Sequence, residues 1–293
     1  MKAYHLRPPA RGLCIPPKRS ALALCLALLI PSVAPASEVQ SDALANALTA
    51  LPPADVVVLG EVHDNAAHHL NQARAVAALQ PKALVFEMLT PDQVAGMGDV
   101  DRTDEQAMEA ALGWTDSGWP DFAIYWPVFA AAPEARIFGA GVDRGAARAA
   151  MKDGAAAYFG ADASVYGLDA PLAPDLQARL EAEQMQAHCN AMPEGMMSGM
   201  VEVQRLRDAA LARAAVQAVH AIGGPVVVIA GSGHARADLG VPAMLTRAAP
   251  ELRVLSVGQV EHGEGDQDAL PFDLWVRSEP VEREDPCLSL TGG

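Results

Sequence analysis

Short apolar runs rich in β-branched residues alternate along the chain with stretches of helical periodicity. A continuous apolar run of four or five residues is typical of a strand that is buried on both faces. We expect such strands at residues 55–59, 83–86, 136–138, 225–229 and 252–255. Helices are predicted at 66–79 and 201–222. This alternation predicts an α/β fold in which helices flank a largely parallel central sheet.

Two longer segments lack strand signals. Residues 91–133 show no clear period and hold three of the four tryptophans, so we expect them to be irregular. Residues from about 145 to 222 have a largely helical pattern and lie between the third and fourth predicted strands. We expect this segment to form a helical cap that is inserted into the fold.

The first 36 residues differ from the rest of the chain. They carry five basic residues and no acidic residue, followed by an apolar run at 21–30 and small residues around Pro35. This pattern predicts a signal peptide that is cleaved after Ala36, since the run is shorter than the roughly 20 residues that span a bilayer. Cys25 follows Leu24 rather than a small residue, which favours a soluble periplasmic or secreted protein over a lipoprotein. We expect residues 37–293 to form one domain without a transmembrane helix.

Composition and charge narrow the class of protein. Hydrophobic residues make up 51% of the chain and charged residues 19%, which indicates a packed core rather than disorder. The formal net charge is −15, and without the first 36 residues 16 basic residues face 36 acidic ones, which argues against a nucleic-acid partner. Cys189 and Cys287 remain after cleavage. In an oxidising compartment they predict a disulfide, and shared metal ligation is the alternative.

Two of the predicted strands end in the same short pattern. The first is followed by Gly-Glu-Val-His and the fourth by Gly-Ser-Gly-His, and the second ends at a glutamate. Because the carboxyl ends of parallel strands line one edge of a sheet, we expect these side chains to converge in one pocket. They are Glu61, His63, Glu87 and His234. The competing interpretation is that both histidines only cap helices, and we expect the neighbouring His68 and His69 on a solvated helix face.

This set of side chains has two chemical uses. Glu61, His63 and His234 are candidate ligands of a divalent metal such as Mn or Zn, because imidazole and carboxylate groups both suit such ions. Without a metal, a carboxylate and an imidazole form a general acid–base pair.

Several segments resemble a known protein family. They are Gly-Glu-x-His-Asp near residue 60, Phe86-Glu87-Met88, residues 114–120 with Tyr125, residues 188–193 with Gln204 and Asp208 after them, and Gly-Ser-Gly-His-Ala-Arg-Ala-Asp-Leu-Gly-Val-Pro from Gly231. Together they resemble the ChaN-like haem-binding uptake family of the Tiki/TraB and erythromycin-esterase superfamily, over nearly all of residues 37–293. The resemblance implies an exported periplasmic protein that binds haem or another iron porphyrin and supports iron uptake. It also implies a homodimer with haem between the subunits.

The same resemblance leaves a second function open. Related Tiki-type proteases and erythromycin esterases use paired Gly-x-x-His motifs and a glutamate. The alternative is therefore a metal-dependent hydrolase, a protease or an esterase, whose catalytic residues are Glu61, His63, Glu87 and His234. A metal carrier that performs no chemistry is a third class.

A haem site needs an axial ligand and cations for the propionates. The candidate axial ligands are Tyr125, His63, His234 and His188. Tyr125 lies in an aromatic stretch, where a core tyrosine with a satisfied hydroxyl is an equal alternative. The candidate cations are Arg144, Arg205, Arg207 and Arg236.

Overall fold

The computed structural model describes residues 37–263, 270–284 and 287. Within them, seven strands form one sheet in which every neighbouring pair is parallel. The strands are β1 (Ser37–Glu38), β2 (Val56–Leu59), β3 (Ala83–Phe86), β4 (Arg136–Gly139), β5 (Val226–Ile229), β6 (Val254–Glu261) and β7 (Leu274–Ser278). Their order across the sheet is β1-β7-β6-β2-β5-β3-β4.

Eleven α-helices connect and cover the strands in the described residues. They are α1 (Leu44–Ala50), α2 (Ala66–Leu79), α3 (Pro91–Gly96), α4 (Glu105–Leu112), α5 (Phe122–Ala130), α6 (Arg144–Asp153), α7 (Ala155–Phe159), α8 (Pro174–Ala187), α9 (Met197–Ile222), α10 (Ser232–Ala235) and α11 (Val241–Ala248). The prediction of an α/β fold with a parallel sheet between helices is confirmed. Within the described residues, no helix is both long and apolar enough to cross a bilayer.

Helices cover both faces of the sheet. On one face, Val56 and Val58 of β2 pack in a core with α9 and α11, and on the other Val57 and Leu59 pack with α1, α2 and α5. Every residue of β2, β3 and β5 is consequently buried. This burial on both faces explains why the three strands have uninterrupted apolar sequences. Small alanines on the buried side of α9 let this helix lie close to the sheet.

The prediction that residues 91–133 are irregular is wrong, because they contain α3, α4 and α5. Each of these helices begins at a polar capping residue whose side chain accepts a backbone N–H: Thr90, Asp104 and Asp121. Such caps start short helices that are stabilised mainly by packing, so they leave little periodic signal. The fifth predicted strand begins at Val254 and extends to Glu261.

The segment predicted as a helical cap is helical, and its helices lie at different depths. α9 packs directly on β3, β4 and β5, with more than a dozen of its residues buried. α8 packs on α9 and contains no fully buried residue. α8 is thus the least buried helix of this segment. The predicted signal peptide falls in residues 1–36, outside the described residues.

Candidate functional site

Sheet order explains why the predicted site residues meet. β5 lies between β2 and β3, so the carboxyl ends of these three strands are adjacent. Glu61 and His63 follow β2, Glu87 follows β3, and His234 lies in α10 just after β5. The four side chains, called the strand-end cluster below, form one continuous series of contacts.

Distances between ring and carboxylate atoms define the strand-end cluster. His63 Nδ1 lies 2.8 Å from Glu61 Oε1, and His63 Nε2 lies 3.9 Å from Glu87 Oε2. Glu87 Oε1 lies 3.2 Å from His234 Nε2. Carboxylates and imidazoles thus alternate along the cluster, and each imidazole can be charge-balanced by a neighbouring carboxylate.

Two glycines make this close approach feasible. A Cβ atom on Gly60 would lie 2.6 Å from Ser232 Oγ, and one on Gly231 would lie 3.1 Å from His63 Nε2. Any larger residue would therefore push the two strand-end turns apart. The backbone N–H of Gly231 also donates to Glu87 Oε2 at 2.9 Å, which fixes that carboxylate.

Glu61 is a buried carboxylate with several donors. The hydroxyl of Tyr125 donates to Oε1 at 2.8 Å and the amide of Gln72 donates to Oε2 at 2.8 Å, while His69 Nδ1 lies 3.4 Å from Oε2. Burial raises the pKa of Glu61, but the hydrogen bond from His63 and the other neighbours outweigh it and lower the pKa overall. Glu61 is thus held ionised inside the protein.

His234 is a buried imidazole between two carboxylates. Its Nδ1 donates to Asp208 Oδ1 at 2.6 Å, and the amide of Gln204 lies 2.9 Å from the same nitrogen. Burial lowers the pKa of His234, but Glu87 and Asp208 outweigh it and raise the pKa to about 10. Burial raises the pKa of Glu87, and His234 outweighs it and lowers the pKa to about 2. His234 is therefore a cation with both ring nitrogens occupied.

His63 is the accessible member of the strand-end cluster. Its side chain is 32% exposed, and its ring lies against Trp119 with centroids 4.8 Å apart. Burial lowers the pKa of His63, whereas the hydrogen bond to Glu61 raises it, and the net change is upward. Within the described residues Nε2 accepts or donates no hydrogen bond, since Glu87 is 3.9 Å away. This nitrogen is therefore free to bind a ligand.

The other two candidate axial ligands lie in different settings. Tyr125 is fully buried, and its hydroxyl points to Glu61. His188 ends α8, where its Nδ1 donates to the carbonyl of Gln184 at 2.8 Å; within the described residues it makes no hydrogen bond to the strand-end cluster. Next to it, Cys189 forms the predicted disulfide with Cys287.

A cleft of about 380 Å³ opens beside the strand-end cluster. Of the four cluster residues only Glu87 lines it, and His63 adjoins it through its contacts with Glu87 and Trp119. Glu87 and Trp119 line it, and so do the apolar side chains of Met88, Val142 and Leu211. Arg144 and Arg207 line it as well, and neither has an acidic partner within 4 Å among the described residues. We call this the arginine cleft.

The remaining two predicted cations have other partners. Arg205 pairs with Glu202 at 2.6 Å, and Arg236 pairs with Asp238 at 2.8 Å and Glu183 at 3.1 Å. Of the four candidate arginines, Arg144 and Arg207 thus line the arginine cleft without an ion-pair partner among the described residues, whereas Arg205 and Arg236 are neutralised by carboxylates elsewhere.

The described residues contain no group of three His, Cys, Asp or Glu side chains arranged to hold a metal ion. Glu61, His63 and His234 do lie in one cluster, but Nδ1 of His234 donates to Asp208 and its Nε2 is ion-paired with Glu87 at 3.2 Å. This geometry does not favour the metal-dependent hydrolase.

Residues outside the predicted set complete the site. Gln72 and His69 from α2 and Asp208 from α9 contact the strand-end cluster directly. The prediction of a solvated face for His68 and His69 is wrong, because both are fully buried against the strand-end loops. Asp208 follows Gln204 by one helical turn, and this i, i+4 spacing is the signal in the sequence that both side chains share one face.

The fold and the site define the class of protein. A family model described as haem-binding uptake, Tiki superfamily, ChaN matches residues 47–245. The chain belongs to this family, as its resemblance predicted.

One solved structure shares the fold of this chain. The structure of cofacial haem binding to ChaN of Campylobacter jejuni is 20% identical, with a TM-score of 0.59, and the match covers 80% of this chain and 89% of that one. The type III effector HopBA1 is 14% identical, with a TM-score of 0.45 over 82% of this chain and 94% of its own. No curated protein matches.

Proposed function

We propose that the chain binds haem in the arginine cleft, with His63 Nε2 as the axial ligand. The observation that carries this proposal is which candidate ligand atom is accessible and has no hydrogen-bond partner. His234 has both nitrogens occupied and Tyr125 is buried with its hydroxyl on Glu61, whereas His63 is partly exposed with a free Nε2. Membership of a haem-binding uptake family supports haem as the bound molecule.

The surroundings of His63 suit an iron ligand. Its Nδ1–H donates to the ionised Glu61, and a carboxylate in that position orients the ring and raises the basicity of Nε2. Tyr125 and Gln72 hold Glu61 in place, so they act as positioning residues. Bound haem supplies the iron, and the protein supplies this anchored imidazole.

The arginine cleft suits the rest of a porphyrin. Trp119, Met88 and Leu211 offer apolar surface to the macrocycle, while Arg144 and Arg207 offer positive charge to the two propionates. These free cations matter because the chain as a whole is strongly acidic. The hydrolase alternative receives no comparable support.

The proposal also includes an oligomeric state and a cellular location. ChaN of Campylobacter jejuni binds haem cofacially, and we extend this to a homodimer of the present chain with haem between its subunits. Export to the periplasm for a role in iron uptake is supported by the charge pattern of residues 1–36 and by the disulfide.

Haemin titration of the purified protein tests the proposal. The wild type is expected to give a Soret band that saturates stoichiometrically. Replacing both cleft arginines (Arg144→Gln with Arg207→Gln) is expected to weaken binding about tenfold or more, because each loses a charge-assisted hydrogen bond. A matched double variant (Arg148→Gln with Arg253→Gln) keeps the net charge of the first. No Soret band in the wild type, or equal weakening in both double variants, would contradict the proposal.

A further inference from the structure

A second cavity lies beside Asp208, the carboxylate that holds His234. It encloses about 350 Å³ between α8, α9 and α11, and its lining shares no residue with the arginine cleft. Leu172, Leu180, Val201, Leu239 and Met244 give it mostly apolar walls. Its volume is close to the lower limit of ligand pockets, about 300 Å³, so it suits a small molecule. We call it the α8 cavity.

Most charged groups around the α8 cavity neutralise one another. Arg205 is paired with Glu202. Arg236 and Arg179 are together paired with Asp238 and Glu183. The carboxylate of Asp208 is held by His234 at 2.6 Å and is not available to a ligand without breaking that bond. These groups therefore contribute little net charge to the cavity.

Arg247 is the exception. Its guanidinium lines the cavity, and it has no ion pair and donates no hydrogen bond in the part of the chain that the structure describes. It lies against Gly167, where a Cβ atom would be only 2.9 Å from Nε. Gly167 has a φ of +72°, a conformation that disfavours other residues, so this room for the guanidinium is built into the backbone.

We propose that the α8 cavity binds a small aliphatic carboxylate. The apolar chain of the ligand lies between α8 and α9, and its carboxylate pairs with Arg247. Charge complementarity selects the anion, since Arg247 is an unpaired cation in the lining of a mostly apolar cavity and leaves a single charge to be matched. α8 covers the ligand through Leu180, which lines the cavity.

Calorimetric titration of the full chain with octanoate and with octan-1-ol tests this inference. Octanoate is expected to bind, and Arg247→Gln is expected to weaken it about tenfold while leaving octanol binding unchanged. Arg253→Gln, the control at another exposed arginine, is expected to leave both unchanged. No heat from octanoate, or equal weakening by both arginine variants, would overturn the proposal.

A second variant addresses the apolar part of the cavity. Leu180→Phe places a larger side chain in the cavity and fills part of its space, so it is expected to abolish binding of both octanoate and octanol. Retention of octanoate binding in Leu180→Phe would place the ligand elsewhere and overturn the proposal. Because haem and octanoate use separate linings, Arg247→Gln is expected to leave haemin titration unchanged, and failure of the haem proposal would leave the octanoate result intact.

Discussion

Removing the hydroxyl of Tyr125 distinguishes a positioning residue from an iron ligand. The hydroxyl donates to Glu61 Oε1 at 2.8 Å in a fully buried setting. Tyr125→Phe keeps the aromatic ring, which packs against His69 and Trp114 at centroid distances of 4.0 and 4.8 Å. The substitution therefore removes the hydrogen bond to Glu61 and the longer contacts of the hydroxyl with His63 O at 3.3 Å and His63 Nδ1 at 3.4 Å, and it keeps the ring packing.

The loss of stability in Tyr125→Phe depends on the charge of the hydrogen-bond acceptor, Glu61. A hydrogen bond to a charged group contributes about 1.5–3 kcal/mol, and a buried carboxylate that loses a donor cannot recruit bulk water in its place. We expect Tyr125→Phe to lower the free energy of unfolding by about 1.5–3 kcal/mol. The exposed Tyr158 provides a matched control, since Tyr158→Phe is expected to change stability by less than about 0.5 kcal/mol.

Urea unfolding and haemin titration provide the two readouts. The midpoint of unfolding is expected to fall in Tyr125→Phe with an unchanged slope, while the Soret band of the haem complex is retained because His63 remains. Equal stability of Tyr125→Phe and the wild type would refute the buried hydrogen bond. Loss of the haem spectrum in a folded Tyr125→Phe would refute the assignment of His63 as the ligand.

Two further predictions concern stability. Cys189→Ser with Cys287→Ser removes a disulfide between residues 98 positions apart in the sequence. Loss of the loop constraint on the unfolded chain lowers the free energy of unfolding by at most about 4–5 kcal/mol, so we expect the double variant to melt well below the wild type. An equal melting temperature would contradict this. The hydrogen bond from Arg283 lowers the pKa of Glu261 from 4.5 to about 2. This ion pair stabilises the fold above pH 4.5, and its contribution is lost as the pH falls towards 2. The free energy of unfolding is therefore expected to fall less steeply between pH 4.5 and pH 2 in Glu261→Gln than in the wild type.

Periodicity predicts the centre of this fold better than its margins. The strand at Ala83–Phe86 and the helix at Ala66–Leu79 occur with the predicted bounds, because both are buried elements with uninterrupted patterns. β7 has no predicted counterpart, since Leu274–Ser278 is short and follows a segment without helical pattern. α3, α4 and α5 have none because their capping residues, rather than any periodicity, mark where they begin.

The same contrast applies to the site. Strand-end residues could be grouped from the sequence, because parallel strands bring their carboxyl ends to one edge. Which of them stays accessible could not be predicted, since that depends on Asp208 closing one side of His234 and Tyr125 closing one side of Glu61. Both contacts join distant parts of the chain and leave no local pattern.

Replacing the His63 side chain by free imidazole tests most directly whether His63 ligates the iron. In His63→Gly the visible spectrum of the haem complex is expected to change, and millimolar imidazole is expected to restore the wild-type spectrum by entering the space beside Trp119. His262→Gly, at an exposed histidine, is the control and is expected to behave as the wild type. A wild-type spectrum in His63→Gly without imidazole would contradict the account.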